Sequence, residues 1–225
     1  MTNAGGNRKA LYIVGGVLLV VVLAAVSYVY FQKSPTASSS SATYTTQVKG
    51  AVVTAGKAAP ATVDIYEDFL CPICGRFESK NGADIRQAIA DGKIQVRYHP
   101  VAILNRATNP TGYSTRAANA AICAADAGKY AGYHDKLFAE QPEENSAGLT
   151  DQELVAKGTE LGLTGSFSSC VTGHKHSAAV DAATAAAAKD TSLRAEGKGF
   201  GTPTVLVNGK RVDWSDSDWL TAVTK

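Results

Sequence analysis

From Leu11 to Phe31 the chain runs through 21 residues without a charged side chain. A run of that kind must be buried in a bilayer or in a protein core. About 20 apolar residues span a bilayer hydrocarbon layer of about 30 Å, whereas the apolar stretch of a cleaved leader is about 7–15 residues long. We therefore read residues 11–31 as a single transmembrane anchor, with Tyr12, Tyr28 and Tyr30 near its ends, where amphipathic rings favour the membrane interface. Arg8 and Lys9 precede the span and Lys33 follows it, so the positive-inside bias puts residues 1–10 in the cytoplasm and the rest of the chain outside. Residues 32–47, with Ser38-Ser39-Ser40-Ser41 at their centre, are too polar to pack and read as a flexible linker. The folded body is then residues 48–225, held close to the outer membrane face.

That body is nearly neutral. After the three bases of residues 1–33, it holds 19 Lys and Arg against 20 Asp and Glu, which gives no electrostatic footprint for nucleic acid. Four cysteines outside the cytoplasm make a disulfide framework possible. Gly197, Gly199 and Gly201 do not lead a strand into a helix, so they are not a dinucleotide fingerprint. No cofactor is implied.

Thr62-Val63-Asp64-Ile65-Tyr66 reads as a strand. Cys71 to about Ala90 reads as a helix with Phe77, Ile85, Ala88 and Ile89 on one side, ended by Asp91-Gly92. Ile94 to Tyr98 alternates as a second strand, stopped by His99-Pro100. The order β-α-β favours parallel pairing. Residues 111–193 read as helical throughout: Ser114–Ala127, Tyr130–Glu140, a helix opened by the capping box Thr150…Glu153, and Ser177–Lys189. This block is too long for a simple crossover and reads as an inserted helical subdomain. Thr204–Val207, then Asn208-Gly209, then Lys210–Val212 is a hairpin signal, and Ser215 is placed to cap a last short helix with Trp219, Leu220 and Val223. The fold class is α/β.

The chemistry converges on Cys71-Pro72-Ile73-Cys74, which follows a strand and opens a helix. Pro72 suits the first helical position, where its missing N–H has no partner to lose. Cys71 then stands at the N-cap, facing unpaired N–H groups and the positive end of the helix dipole, which together stabilise a thiolate. The thiolate is the attacking species in disulfide exchange, and Cys74, one turn on, can close a ring with Cys71. Two cysteines at this spacing also suit half a zinc site, with His174 and His176 as distant candidates to complete it. Cys123 and Cys170, 47 positions apart, pair as a structural disulfide or form a second exchange site. His99 reads as a strand-end residue.

The stretch from Ala58 to Cys74, and later Gly201-Thr202-Pro203-Thr204, resembles the membrane-anchored, actinobacterial type of DsbA-like thiol:disulfide oxidoreductases in the thioredoxin superfamily. The resemblance covers about residues 48–225. It implies a thioredoxin fold with a helical insertion, catalytic Cys71 and Cys74, and a cis bond between Thr202 and Pro203 in a loop that positions substrate. It also implies an extracytoplasmic oxidase of unfolded secreted proteins, probed at Cys71 and reoxidised by a membrane partner of the DsbB or vitamin-K-epoxide-reductase type. A monomer without a resident metal is expected. The alternatives are a reductase or isomerase, and a metal-binding or interaction module using the same cysteines.

Two departures stand out. The buried acid that thioredoxin and enterobacterial DsbA carry six residues before the first cysteine is Ile65 here, so proton transfer would fall to Glu67, Asp68 or a water. The dipeptide between the cysteines is Pro-Ile rather than Pro-His and adds no charge. A potential between those of DsbA and thioredoxin, about −120 and −270 mV, nearer the oxidising end, is expected.

Overall fold

The computed structural model describes residues 44–195 and 197–224. The anchor read at 11–31, and the linker as far as residue 43, lie outside them. Among the described residues no helix is long and apolar enough to cross a membrane. The chain opens with a hairpin, β1 (Thr46–Lys49) and β2 (Val52–Ala55), then β3 (Ala61–Glu67), α1 (Pro72–Ala90) and β4 (Ile94–Pro100). The helical block follows as α2 (Tyr113–Asp126), α3 (Tyr130–Ala139), α4 (Asp151–Glu160), α5 (Ser166–Thr172) and α6 (Ser177–Lys189), with a 3-10 turn over Thr191–Leu193. It closes with β5 (Thr204–Val207), β6 (Lys210–Arg211) and α7 (Trp219–Thr224).

The strands form one mixed sheet in the order β1-β2-β4-β3-β5-β6. β3 is internal, parallel to β4 and antiparallel to β5, with Ile65 opposite both Tyr98 and Val205. That position explains its β-branched sequence: Val63 and Ile65 are fully buried. The expected β-α-β unit, helical insertion and terminal hairpin are all present. Asn208 and Gly209 both have positive φ, 50° and 78°, the backbone that a two-residue hairpin turn needs and that these residue types adopt most readily.

The sequence pattern misplaced several boundaries. The hairpin β1–β2 was not expected, and β1 begins at Thr46, inside the segment read as linker. β4 runs through His99 to Pro100 rather than stopping before them. Pairing with β2 ends at Tyr98, so on that side no ladder bond is lost at Pro100. On the other side, Val101 N–H donates to the Glu67 carbonyl at 2.8 Å and carries the ladder on. Ser215 does not cap the last helix; its N–H and hydroxyl donate to Asp213, and α7 starts four residues later. The capping box at Thr150 and Glu153 is formed reciprocally.

The alanines serve two purposes. In α2, Ala117, Ala118, Ala120, Ala121, Ala124 and Ala125 are all buried, because this helix lies at the centre of the insertion against α3, α4, α5, α6 and the β1–β2 hairpin. Small side chains let those neighbours approach closely. In α6, which holds eight alanines, only Val180 and Ala187 are buried, so alanine there acts mainly through helix propensity.

Cys123 on α2 and Cys170 on α5 are joined, with Cα atoms 5.8 Å apart. Closing a loop of 47 residues stabilises the fold by about 4 kcal/mol in the chain-entropy description. A Cys123→Ala/Cys170→Ala variant is expected to lose stability of that order, up to about 4 kcal/mol, read as a lower denaturant midpoint, with a steeper slope because the unbridged denatured chain is more expanded.

Candidate active site

β3 ends at Glu67, and the four residues after it turn the chain into α1. Asp68 shapes this turn. Its carboxylate accepts the Leu70 N–H at 2.9 Å and the Leu104 N–H at 2.8 Å, while its carbonyl accepts the Cys71 N–H at 2.9 Å. Cys71 emerges in extended backbone (φ −71°, ψ 115°) as the N-cap, with Pro72 in the first turn. The insertion braces the turn from the other side. Gln141, just beyond α3, donates its amide to the carbonyls of Phe69 and Cys71, each at 3.0 Å. A β-carbon at Gly75 would lie 2.8 Å from the Gln141 side-chain amide oxygen, so a side chain there would push that amide away from the two carbonyls. Nothing in the local pattern marks Gln141, because its partners are about 70 positions away.

The two thiols are inequivalent. Cys71 keeps 6% of its surface exposed and Cys74 none. The Cys71 thiol is pulled down to about 6, first by the Cys74 thiol, then by the Thr202 side chain and the N–H groups of Cys74 and Ile73, which together outweigh its partial burial. Cys74 moves the opposite way: burial, reinforced by its thiol's donation toward Cys71 and by the charge there, holds it well above the usual thiol range. Ile73 projects outward with 42% exposure, an exposed large apolar side chain beside the cysteines.

The loop before β5 closes over the pair. The Thr202–Pro203 bond is cis, and the Thr202 carbonyl lies 3.5 Å from the Cys71 sulfur, accepting the thiol proton. The Thr202 hydroxyl is buried without another partner and is placed to donate to the sulfur once that proton has left. A second cis bond, Asn109–Pro110, precedes α2 and had no sequence signal.

The two acids nearest the motif are both fully buried, not solvated. They have different partners. Burial pushes Asp68 up to about 6, opposed by its backbone N–H donors and assisted by the charge at Cys71. Glu67 turns away to His134 on α3, Oε1 to Nε2 at 2.6 Å. His99 stacks on Tyr66, ring centroids 4.1 Å apart, and bonds Asp64 at 2.8 Å. His174 and His176 face Asp151 and Asp126, and His176 stands beside the Cys123–Cys170 bridge. Among the described residues neither His174 nor His176 joins Cys71 and Cys74.

The thiol chemistry predicts a pH profile. Because the folded Cys71 thiol titrates below its ordinary value, the dithiol form gains stability above about pH 6 and loses it as pH falls through that value. Alkylation of reduced protein should therefore rise to half its plateau near pH 6 at Cys71, with Cys74 unmodified at neutral pH. Thr202→Val should move the midpoint upward. Pseudo-first-order alkylation rates, with the modified site located by peptide mapping, measure both.

A family model described as Thioredoxin matches residues 47–224. DsbA of Mycobacterium tuberculosis in its oxidised form is 32% identical, with a TM-score of 0.65 over 80% of this chain and 89% of that one. The reduced disulfide bond oxidoreductase DsbG of the same organism is 35% identical, with a TM-score of 0.63 over 72% of this chain and 75% of that one. The serine/threonine-protein kinase PknE of M. tuberculosis is 34% identical over 168 residues, 72% of this chain. The chain spans only 29% of the length of that curated relative, so kinase activity does not follow from the match. The chain belongs to the thioredoxin family, among its DsbA-like thiol–disulfide oxidoreductases.

Proposed function

We propose that the protein is an extracytoplasmic oxidase that introduces disulfides into secreted or membrane proteins through Cys71 and Cys74. The observation that carries this reading is the pair of opposed thiols at the start of α1, one pulled down to about 6 and the other raised. A disulfide has no thiol to titrate, so a lowered Cys71 stabilises only the reduced form. At pH 7, one unit above that value, the gain is about 1.4 kcal/mol, or about 30 mV toward an oxidising potential. Cys74 stays protonated at that pH and adds nothing of its own.

The exchange starts from the Cys71–Cys74 disulfide. A substrate thiolate attacks Cys71, the less buried sulfur, and the S–S bond breaks toward Cys74. Cys74 leaves as a thiolate that its buried site disfavours, so it takes a proton. Asp68, buried beside the pair and pushed up to about 6, is the group we assign to carry it; Glu67 is committed to His134. The substrate's second thiolate then attacks its own sulfur in the mixed disulfide and expels Cys71. That leaving group is a good one because its pKa is low. The substrate has lost two electrons and gained a disulfide; the enzyme holds a dithiol. Thr202 and Pro203 border the attacked sulfur and would align the substrate chain, with Ile73 offering it an apolar contact.

In this reading residues 1–10 are cytoplasmic, 11–31 the anchor, the stretch from 32 up to β1 the tether and Thr46 onward the catalytic domain, with the insertion at 111–193. The clients are unfolded chains emerging from the membrane, and a membrane reoxidase of the DsbB or vitamin-K-epoxide-reductase type takes the two electrons from the dithiol.

The test is oxidation of a reduced, unfolded model protein in the absence of other oxidants. Wild type should transfer one disulfide per chain. Cys71→Ser and Cys74→Ser, neither of which can hold the Cys71–Cys74 disulfide, should transfer none. Undiminished transfer by Cys71→Ser overturns the proposal. The potential of the Cys71–Cys74 pair, set in glutathione buffers and read by gel shift in a Cys123→Ser/Cys170→Ser background, decides direction: a value near thioredoxin's, about −270 mV, would assign a reductase instead.

A further inference from the structure

Behind α1, on the side away from the cis-proline loop's partner Cys71, three side chains from three elements converge: Glu67 of β3, Glu78 of α1 and His134 of α3. Their ligating atoms all lie within 4.8 Å of one another. We propose that Glu67, Glu78 and His134 form a binding site for a divalent cation of the zinc class that ties α1 to the central strand and to the helical insertion.

The cluster has more acceptors than donors. Glu67 is fully buried, and although its Oε1 meets His134, its Oε2 has no hydrogen-bond partner among the described residues. Glu78 is only half-buried as a residue, yet its Oε1 is also buried and without a partner. Two unpaired carboxylate oxygens facing the same small region is an arrangement that folded proteins avoid unless something binds there. The Tyr130 hydroxyl, close enough to Glu67 to offer it a hydrogen bond, adds a further polar atom to the site.

The donor set fits the ion class. One imidazole nitrogen and two carboxylates suit zinc and its neighbours, and these ligands need metal distances of about 2.0–2.2 Å, which small rotations of the three side chains would reach. A fourth position is open to water. The His134 Nδ1 faces the Asp135 carboxylate at 3.7 Å, and Asp135 is in turn held by Arg86 at 2.8 Å, an outer shell of the kind that orients metal-bound histidines. Access exists as well. A cavity of about 320 Å³ lined by Gly75, Ala83, Arg86 and Asp135 reaches Glu78 from the surface.

Charge points the same way. Two carboxylates converge with an imidazole at one buried point, and a divalent cation would supply the opposing charge at the focus of all three ligands.

The test uses the whole chain in detergent with both cysteine pairs oxidised, so that no thiol is free to bind metal. Zinc is titrated in competition with a chromophoric chelator, and cobalt(II) is used as an optical stand-in. One equivalent of zinc should bind, the cobalt spectrum should lack thiolate charge transfer, and zinc should raise the unfolding temperature. Glu78→Gln, at the rim of the cavity, should weaken zinc binding by at least 10–100-fold, roughly the effect of disturbing even an outer-shell partner, and Glu78→Asp should recover part of it. The proposal is overturned if the oxidised wild-type chain binds no zinc up to millimolar concentration, or if Glu78→Gln binds as tightly as wild type. Folding of each variant is checked by circular dichroism, and the wild-type arm decides alone should Glu78→Gln fail to fold.

Discussion

A sulfur at a helix N-terminus becomes a stable thiolate only when the first N–H groups of that helix are aimed at it and left free of other acceptors. Much of this structure serves that condition at Cys71. The central strand β3 delivers the chain to the helix start, and its pairing with β4 and β5 fixes where it ends. Asp68 occupies the Leu70 and Leu104 N–H groups and accepts the Cys71 N–H through its carbonyl, which leaves the N–H groups of Ile73 and Cys74 for the sulfur. The cis-proline loop, held at the start of β5, supplies Thr202 from more than a hundred positions away.

The helical insertion is part of this arrangement rather than an ornament on it. Gln141 clasps the carbonyls of Phe69 and Cys71, so the turn before α1 is fixed partly by a residue of the insertion. His134 reaches back to Glu67 at the end of β3. The insertion is itself stiffened by the Cys123–Cys170 bridge between α2 and α5 and by the close fit of the alanines of α2. Loosening the insertion would therefore be felt at the cysteine pair through Gln141, without any change in the motif. A thiol–disulfide oxidoreductase that is itself held by a disulfide needs oxidation before it reaches full stability.

Polar groups divide by which side of α1 they face. Toward the cysteines, Asp68 is satisfied by backbone donors and sits close enough to feel the Cys71 charge. On the other side, Glu67, Glu78 and His134 are thrown together with acceptors to spare. Two adjacent acids, Glu67 and Asp68, thus enter separate environments, because successive residues at a strand end point to opposite faces.

The local signals in the chain were enough for its main elements and for the chemical centre. Alternation and β-branching marked β3 and β4, spacing marked the buried side of α1, Thr150 and Glu153 marked a helix start, and Asn208-Gly209 marked a turn; each depends on interactions within a few residues. The placing of Cys71-Pro72 at a helix start is of the same kind. What the chain could not disclose locally were the partners supplied by folding: Gln141 on two carbonyls, His134 on Glu67, the β1–β2 hairpin on β4, and Pro100 tolerated in a strand because its outer edge is unpaired there. Those depend on contacts between residues tens of positions apart, whose identity is set only when strands find their register and helices their packing. The thiol pair was written in sequence; its difference in acidity was decided by burial and by the loop that tertiary structure lays across it.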